Sequence, residues 1–301
     1  MTNTKFKAIL AILLITTSTA SFASSSLTVT AWNLEWLTSH PSDKFSESQR
    51  SKQDFQALAG HFSTIDSDVL AFQEVNDQQA LRKVVGDGYR VYFSDRASDA
   101  YMEQQFDEIN QFTGFAVKED IEVADKPDIQ LDQRKNSKLR FGTYIVLNPN
   151  GSQPIHALSV HLKARCSGAY KNNRDCKILK SQGKALNQWI SERERHGENY
   201  AILGDFNHNL SYNGDWLWEV ISHSSQAVLA TKGTSATCKV RSRKNPNKTH
   251  QFRSLIDHIV VSPGLTTAQT NQDVFPTSLV LQQHLSDHCP ISTQLTNKAL
   301  L

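Results

Sequence analysis

The ten residues from Tyr200 to Asn209 (Tyr-Ala-Ile-Leu-Gly-Asp-Phe-Asn-His-Asn) constrain the fold more than any other stretch of the chain. They read as a buried strand that ends abruptly in a polar cluster. Apolar residues run up to Leu203, Gly204 lets the chain turn, and Asp205 and Asn207 emerge at the strand's end. Side chains alternate faces along an extended segment, so Asp205 and Asn207 can point into one cleft. A carboxylate placed there can orient a water or bind a hard metal. A neutral amide can donate to an anionic oxygen without adding negative charge. Gly, Asp and Asn are also ordinary turn residues, so the stretch acquires meaning only from what surrounds it.

A chain of 301 residues, 39% hydrophobic and 21% charged, can bury a substantial core. No repeat and no long linker interrupts it after residue 26, which favours one domain over residues 24–301. Residues 1–23 differ in character: Lys5 and Lys7 precede the apolar run Ala8–Ile15, and Ser21-Phe22-Ala23 follows. This is the pattern of a signal peptide cleaved after Ala23. The run is shorter than the roughly 20 apolar residues of a membrane span. The expectation is a periplasmic or secreted protein with no stable membrane anchor, and no protein partner is indicated.

The whole chain carries 32 basic and 30 acidic residues; losing Lys5 and Lys7 leaves 30 against 30, so global charge excludes nothing. Local charge says more. Lys163 to Lys184 holds seven basic residues against Asp175 alone, and Lys239 to Arg253 holds six against none. A charge run is ordinarily a solvated face, but these two adjoin strands that carry candidate site residues and could neutralise phosphates. All four cysteines lie in the exported part, where disulfides persist. Cys166 and Cys176 enclose a short polar loop and read as a local bridge. Cys238 and Cys289 could be the second pair, with connectivity left open. Their spacings match no zinc pattern.

Taken in order, Leu27–Asn33 alternates as a first core strand, and Phe55, Leu58, Ala59 and Phe62 fall at helical spacing within Ser48–Phe62. Asp68–Val75 is a buried strand with Glu74 at its end, where a carboxylate needs exposure, a partner or a cation. Tyr89–Phe93 and Phe112–Val117 read as strands; Ser94–Asn110 and Lys118–Lys138 read as surface connections. Arg140 opens the strand Phe141–Leu147 and could contact a phosphate or form a rim salt bridge. Ile155–Lys163 is a strand with His161 near its end, beside Lys163 and Arg165. From Asp175 an amphipathic helix returns the chain to Tyr200, and a short helix is expected within Asn213–Ile221. Ser254–Val261 is a strand with Asp257 in its midst, and Asp287-His288 precedes the last strand.

Strand-end chemistry spread over an alternating α and β chain is what one cleft at the edge of stacked sheets would produce. No serine stands in a strained elbow, and the cysteines look structural. Carboxylates, amides and two histidines suit attack by water on a phosphate ester, assisted by a hard divalent cation.

Six motifs carry a resemblance: Trp32-Asn33, Gln73-Glu74-Val75, Ser159-Val-His161-Leu-Lys163, Gly204-Asp-Phe-Asn207, Ile256-Asp257-His258 and Ser286-Asp-His-Cys-Pro-Ile291. In this order they resemble the endonuclease/exonuclease/phosphatase family, to which pancreatic deoxyribonuclease belongs. The resemblance implies a four-layer α/β sandwich with two central mixed sheets flanked by helices. It implies Glu74 as a ligand of Mg²⁺, with Asn33 and Asp287 nearby, and Asp205 orienting the water or binding metal. Asn33 and Asn207 would hold phosphoryl oxygens, His288 oriented by Asp257 would act as general base or transition-state donor, and His161 would be the general acid. Arg140, Lys163 and Arg165 are the candidate substrate contacts. Oxygen ligands would also suit Mn²⁺ or Ca²⁺.

Histidine at position 161 sets the chain apart from the family's abasic-site repair enzymes, which carry Asn there. In pancreatic deoxyribonuclease a glutamate orients the equivalent histidine. The aligned position here is Asn110, with Glu108, Asp107 or Glu103 as substitutes. The expected activity is an exported, metal-dependent nuclease acting on DNA or RNA. The alternatives are a sphingomyelinase-type phospholipase C, for which Trp216-Leu217-Trp218 is the candidate membrane contact, and a small-molecule phosphatase of the same fold.

Overall fold

The computed structural model describes residues 26–298 except 149, 152 and 243; the expected signal peptide, residues 1–23, lies outside the described residues. Strands β1 (Leu27–Leu37), β2 (Val69–Val75), β3 (Tyr89–Phe93) and β4 (Phe112–Lys118) open the fold, with helices α1 (Lys52–Ile65) and α2 (Gln78–Val85) between them. Next come β5 (Val123–Ile129), β6 (Gly142–Leu147), β7 (Ile155–His161), the long α3 (Arg174–Arg195) and β8 (Asn199–Asp205). After them run α4 (Trp216–Ile221), β9 (Val228–Leu229), β10 (Lys239–Arg241), β11 (Thr249–Gln251) and β12 (Asp257–Val261). The chain closes through β13 (Leu265–Thr267), β14 (Asn271–Gln272), α5 (Thr277–Gln282) and β15 (Ile291–Asn297).

Two mixed sheets result. One runs β13-β15-β1-β2-β4-β3, with β14 beside β15; the other runs β5-β6-β7-β8-β12-β9, and β10 with β11 forms a separate hairpin. The parallel pairs are β1 with β2 and β7 with β8, and each needs a crossover, supplied by α1 and α3. Ser51 and Asp54 close a capping box at the start of α1, and the Asn173 side chain accepts from the Cys176 amide to start α3.

Period-2 alternation sorts the strand residues into three cores. Val29, Ala31, Val69, Ala71, Ala201, Leu203, Ile259 and Val261 meet between the sheets. Leu70 and Phe72 face α1 and α2 with Leu58 and Leu81, while Leu158, Tyr200 and Ile202 face α3 with Leu186 and Trp189. Helix, sheet, sheet, helix is the expected sandwich.

Several boundaries move. β1 runs four residues beyond Asn33, and Asp257 opens β12 rather than sitting within it. The stretch from Lys118 to Lys138, read as a surface connection, contains β5. It is the edge strand of its sheet, half exposed and carrying Pro127, so its sequence lacks the apolar alternation of a central strand. Both cysteine pairs form disulfides, Cys166–Cys176 and Cys238–Cys289.

Two stability predictions follow from the centre of the second sheet. Gly204 has φ 145°, and a Cβ there would lie 2.0 Å from the Val160 carbonyl oxygen. Gly204→Ala is expected to lower unfolding stability by at least about 3 kcal/mol, read as a shift in the urea midpoint. Opposite Gly204 across the β8–β12 ladder stands His258, fully buried, which accepts from the Leu210 amide at 3.2 Å and meets the Thr231 hydroxyl at 2.7 Å. Burial pushes its pKa down to about 3. The unfolded chain takes up a proton on this ring near pH 6.5, whereas the fold refuses it until about pH 3. Stability is therefore lost as pH falls through that window, by about 1.4 kcal/mol per unit. His258→Asn should remove one proton's worth of slope between pH 6 and 4 in urea titrations; an unaltered slope would contradict this.

Candidate active site

The parity that builds the inter-sheet core also builds the site. Asn33 continues the face of Val29 and Ala31, His161 that of Ala157 and Ser159, and Asp205 that of Ala201 and Leu203; Asp257 opens the face of Ile259 and Val261. Register then sets Asp205 between two partners, His161 on β7 and Asp257 on β12. All four are buried. Gln73 ends the same face of β2 and ties the sheets together, donating to Ser159 Oγ at 3.1 Å.

Two irregularities aim further acids at this point. Pairing of β1 with β2 slips between Asn33 and Leu37, and pairing of β2 with β4 slips between Phe72 and Val75. Within the slips Glu35, Trp36 and Glu74 adopt φ of 45°, 49° and 57°. Bulges of this kind re-aim side chains beside active sites. Asn33 Nδ2 donates to Glu74 Oε1 and to Asp205 Oδ2, both at 3.1 Å, while its Oδ1 accepts from the Glu35 amide at 2.9 Å. Asn33 thus meets the carboxylates through its NH₂ group, which suits holding them in place better than supplying a metal with oxygen.

The loop before β15 brings the last components. Ser286 Oγ donates to the Asn33 carbonyl at 2.6 Å, Trp32 Nε1 donates to the His288 carbonyl at 3.1 Å, and the Asp287 amide donates to Glu35 Oε2 at 3.0 Å. His288 Nδ1 is 2.8 Å from Asp257 Oδ2, and its Nε2 faces Asp205 Oδ2 at 3.9 Å, a gap that one water can bridge. Burial works against charge on this ring, but Asp257 and Asp205 outweigh it and hold the His288 pKa well above the usual histidine value. Burial pushes Asp205 up to about 7, with the His288 cation pulling the other way and Asp257 and Glu74 adding to the rise.

Glu35 carries no motif in the sequence, yet it stands among Glu74, Asp287 and His288. Burial, then Asp287 and Glu74, raise its pKa to about 8 against the pull of Arg50, whose guanidinium lies 3.7 Å away. Glu35, Glu74 and Asp287 are neighbouring carboxylates that repel one another, and oxygen donors of this kind are what a hard divalent cation prefers. Asp205, Asp257 and His288 also offer ligand atoms within 4.8 Å of one another. There the Asp257–His288 bond engages Nδ1, which suits proton handling rather than ligation.

On the other side of Asp205 the groups are basic. Arg140 is buried rather than at the rim, and its Nη2 donates at 3.3 Å to the Leu162 carbonyl, which also accepts from Asn207 Nδ2 at 3.1 Å. Burial lowers its pKa while Glu74 and Asp205 oppose the change. Lys163, expected to contact substrate, spends its ammonium on Asp175 at 3.0 Å and on the Ala164 carbonyl at 2.9 Å. Arg165 is exposed, in a left-handed turn with φ 73°.

His161 Nε2 stands 3.5 Å from both Glu74 Oε1 and Asp205 Oδ2, and its buried Nδ1 has no partner among the described residues. None of the anticipated carboxylates orients it. Glu108 pairs with Lys44, Asp107 is exposed beside Lys138, Glu103 is exposed, and Asn110 accepts from the Phe106 amide at 2.9 Å. The segment instead presents Arg96, fully buried, stacked 4.8 Å over the Phe112 ring and bonded to the Gln104 carbonyl at 2.7 Å. Burial, then Arg140, pushes Arg96 down to about 10. Burial, Arg140, His288 and Arg96 together hold His161 well below the usual histidine pKa, so the ring is neutral.

The sequence matches the model of the Endonuclease/Exonuclease/phosphatase family over residues 30–288. No curated protein matches it. Among solved structures it is similar to a family protein from Bacteroides thetaiotaomicron, with TM-score 0.64 and 14% identity over 92% of this chain and 100% of that one. It is also similar to TDP2 from C. elegans, with TM-score 0.60 and 18% identity over 90% of this chain and 75% of that one. A mannosyl-6-phosphatase from Bacteroides thetaiotaomicron gives TM-score 0.61 and 15% identity over 90% and 99%. At these identities the likeness is one of fold.

Proposed function

Because the chain belongs to the endonuclease/exonuclease/phosphatase family, whose members are metal-dependent phosphoric ester hydrolases, we propose that it is an exported phosphodiesterase that cuts DNA or RNA by in-line attack of water. The observation that carries this reading is Asp205 held between two histidines in opposite states, His288 cationic and bound to Asp257, His161 neutral and flanked by arginines. Water seated between His288 Nε2 and Asp205 Oδ2 would be oriented by both, and Asp205 would accept its proton. The phosphoryl oxygens would lie against the Asn207 amide and the Arg140 guanidinium, which already share the Leu162 carbonyl. His161, neutral, would give the departing oxygen a hydrogen bond from Nε2–H without releasing that proton, and the oxygen would take its own proton from solvent. Glu74, with Glu35 and Asp287, would hold Mg²⁺, or Mn²⁺ or Ca²⁺, whose contribution is to polarise a phosphoryl oxygen.

Export is favoured by the N-terminal pattern and by the two disulfides; no helix among the described residues is long and apolar enough to cross a membrane. A nucleic acid is favoured over a lipid because, of the candidate membrane contact, Leu217 is buried in the core around α3 and α4, and Trp216 and Trp218 are half-buried against it. The test is digestion of supercoiled plasmid by the mature chain, beside a sphingomyelin assay. Nicking that requires the divalent cation, stops with chelator and falls with salt is expected. Intact plasmid with turnover of the lipid would reject the nuclease reading.

A further inference from the structure

Beside the acid cluster lies a cavity of about 760 Å³, of the size that accepts a nucleotide-sized ligand. Its lining comes from Glu35 and Asp287, from the β10–β11 hairpin, and from α5 and the residues that follow it. We propose that this cavity receives an unstacked nucleotide of the strand being cut, which makes single-stranded nucleic acid, rather than intact duplex, the preferred substrate. The inference rests on the nuclease reading and specifies its substrate.

Three observations carry it. First, the lining carries both signs. Lys239, Arg241 and Lys244 are exposed in it and make no ion pair among the described residues, and its acids, Glu35 and Asp287, are half-buried. A nucleotide strand carries charges to match, with the scissile phosphate at the cation that the acids would hold and the next phosphate at the lysines. Second, Phe252 lines the space while 38% exposed, with His250 edge-on at 5.4 Å. An aromatic face bordered by cations is a platform for a base out of its stack. A paired duplex offers only base edges and phosphates. Third, the cavity is fixed to the catalytic loop. Cys238 beside β10 is bonded to Cys289, next to His288, and Arg241 donates to the Val280 carbonyl at 3.2 Å and the Gln283 carbonyl at 3.4 Å, closing the hairpin over α5.

The experiment measures kcat/KM of the full mature chain with Mg²⁺ on a fluorescent oligonucleotide, single-stranded and annealed to its complement. It is repeated with Phe252→Ala, Phe252→Tyr and Lys244→Gln, and anisotropy of the same oligonucleotides in chelator gives binding independent of cleavage. The expected result is at least about tenfold preference for the single strand. Phe252→Ala should raise KM on the single strand about tenfold with a smaller change on duplex, and Phe252→Tyr should restore the preference. Equal losses on both forms, or no loss in Phe252→Ala and Lys244→Gln, would overturn the proposal. If neither form is cleaved, the nuclease reading fails by itself. The cavity proposal then stands only if Phe252→Ala weakens single-strand binding, and falls if that binding is absent or unaltered.

Discussion

His288→Ala should reduce kcat for nucleic acid cleavage about 10³-fold while leaving KM within a few fold, because the ring acts on the attacking water rather than on the bound strand. Asp257→Asn should lose activity in the same step, and the double variant should lose little more than His288→Ala alone. Two groups joined at 2.8 Å and acting as a unit are not additive. The pH profile separates this role from a structural one. Asp257 and Asp205 keep His288 protonated well above the usual histidine range despite its burial. A ring that works as a cationic donor loses activity as pH rises through that raised value. Asp257→Asn should move the alkaline limb to lower pH. Stability carries the same sign: the contribution of the raised pKa is fully present below about pH 6.5 and is lost as pH climbs through the folded value. Urea titrations should therefore show a larger penalty for His288→Ala at pH 6 than at alkaline pH. A penalty independent of pH, with activity unaffected, would remove His288 from the reaction.

What the sequence made legible was the ends of central strands. Asn33, Glu74, His161 and Asp205 each stop an apolar run, and Asp287-His288 precedes one, so periodicity alone located them. Pairing was not legible, and pairing decides which ends meet: Asp205 lies between His161 and Asp257 only because β8 is parallel to β7 and antiparallel to β12. Glu35 escaped notice because it enters through a bulge, and a slip in register leaves no trace in a pattern that assumes strict alternation. Arg96 escaped for a different reason. Its segment is polar and lacks periodicity, so it reads as surface, yet it folds as short 3₁₀ turns that carry the guanidinium inward over Phe112. The absence of a carboxylate beside His161 Nδ1 was foreshadowed by Asn110. The cationic surroundings that take its place belong to Arg96 and Arg140, which are 44 residues apart. Short elements such as β14 and α5 are below the length at which periodicity can speak.

Glu74→Gln should do opposite things to activity and to stability. Glu35, Glu74, Asp205, Asp257 and Asp287 converge on one cleft, and the neighbouring cations are Arg50, Arg140 and His288. Mutual repulsion among the acids shows in the raised pKa values of Glu35, about 8, and Asp205, about 7, although burial is the larger cause in both. Removing the charge of Glu74 relieves part of that repulsion at the cost of one long hydrogen bond: Asn33 Nδ2 and the Trp36 amide donate to different oxygens of Glu74, at 3.1 and 3.3 Å, and a glutamine oxygen can keep the first while the second is lost. In chelator, the variant should therefore unfold at a temperature equal to or above that of the unaltered chain. Added Mg²⁺ should stabilise the unaltered chain by mass action, since a cation binds the assembled cluster and not the unfolded chain, and should raise the Tm of Glu74→Gln far less. Activity moves the other way: loss of a ligand carboxylate that is worth several kcal/mol of charge stabilisation should lower kcat/KM by about 10²-fold or more, with partial recovery at high Mg²⁺. A residue retained for packing would lose stability and activity together. A variant that unfolds earlier in chelator, or that keeps the full Mg²⁺ shift in Tm, would place Glu74 outside the cation site and leave Glu35 and Asp287 as the acids to test next.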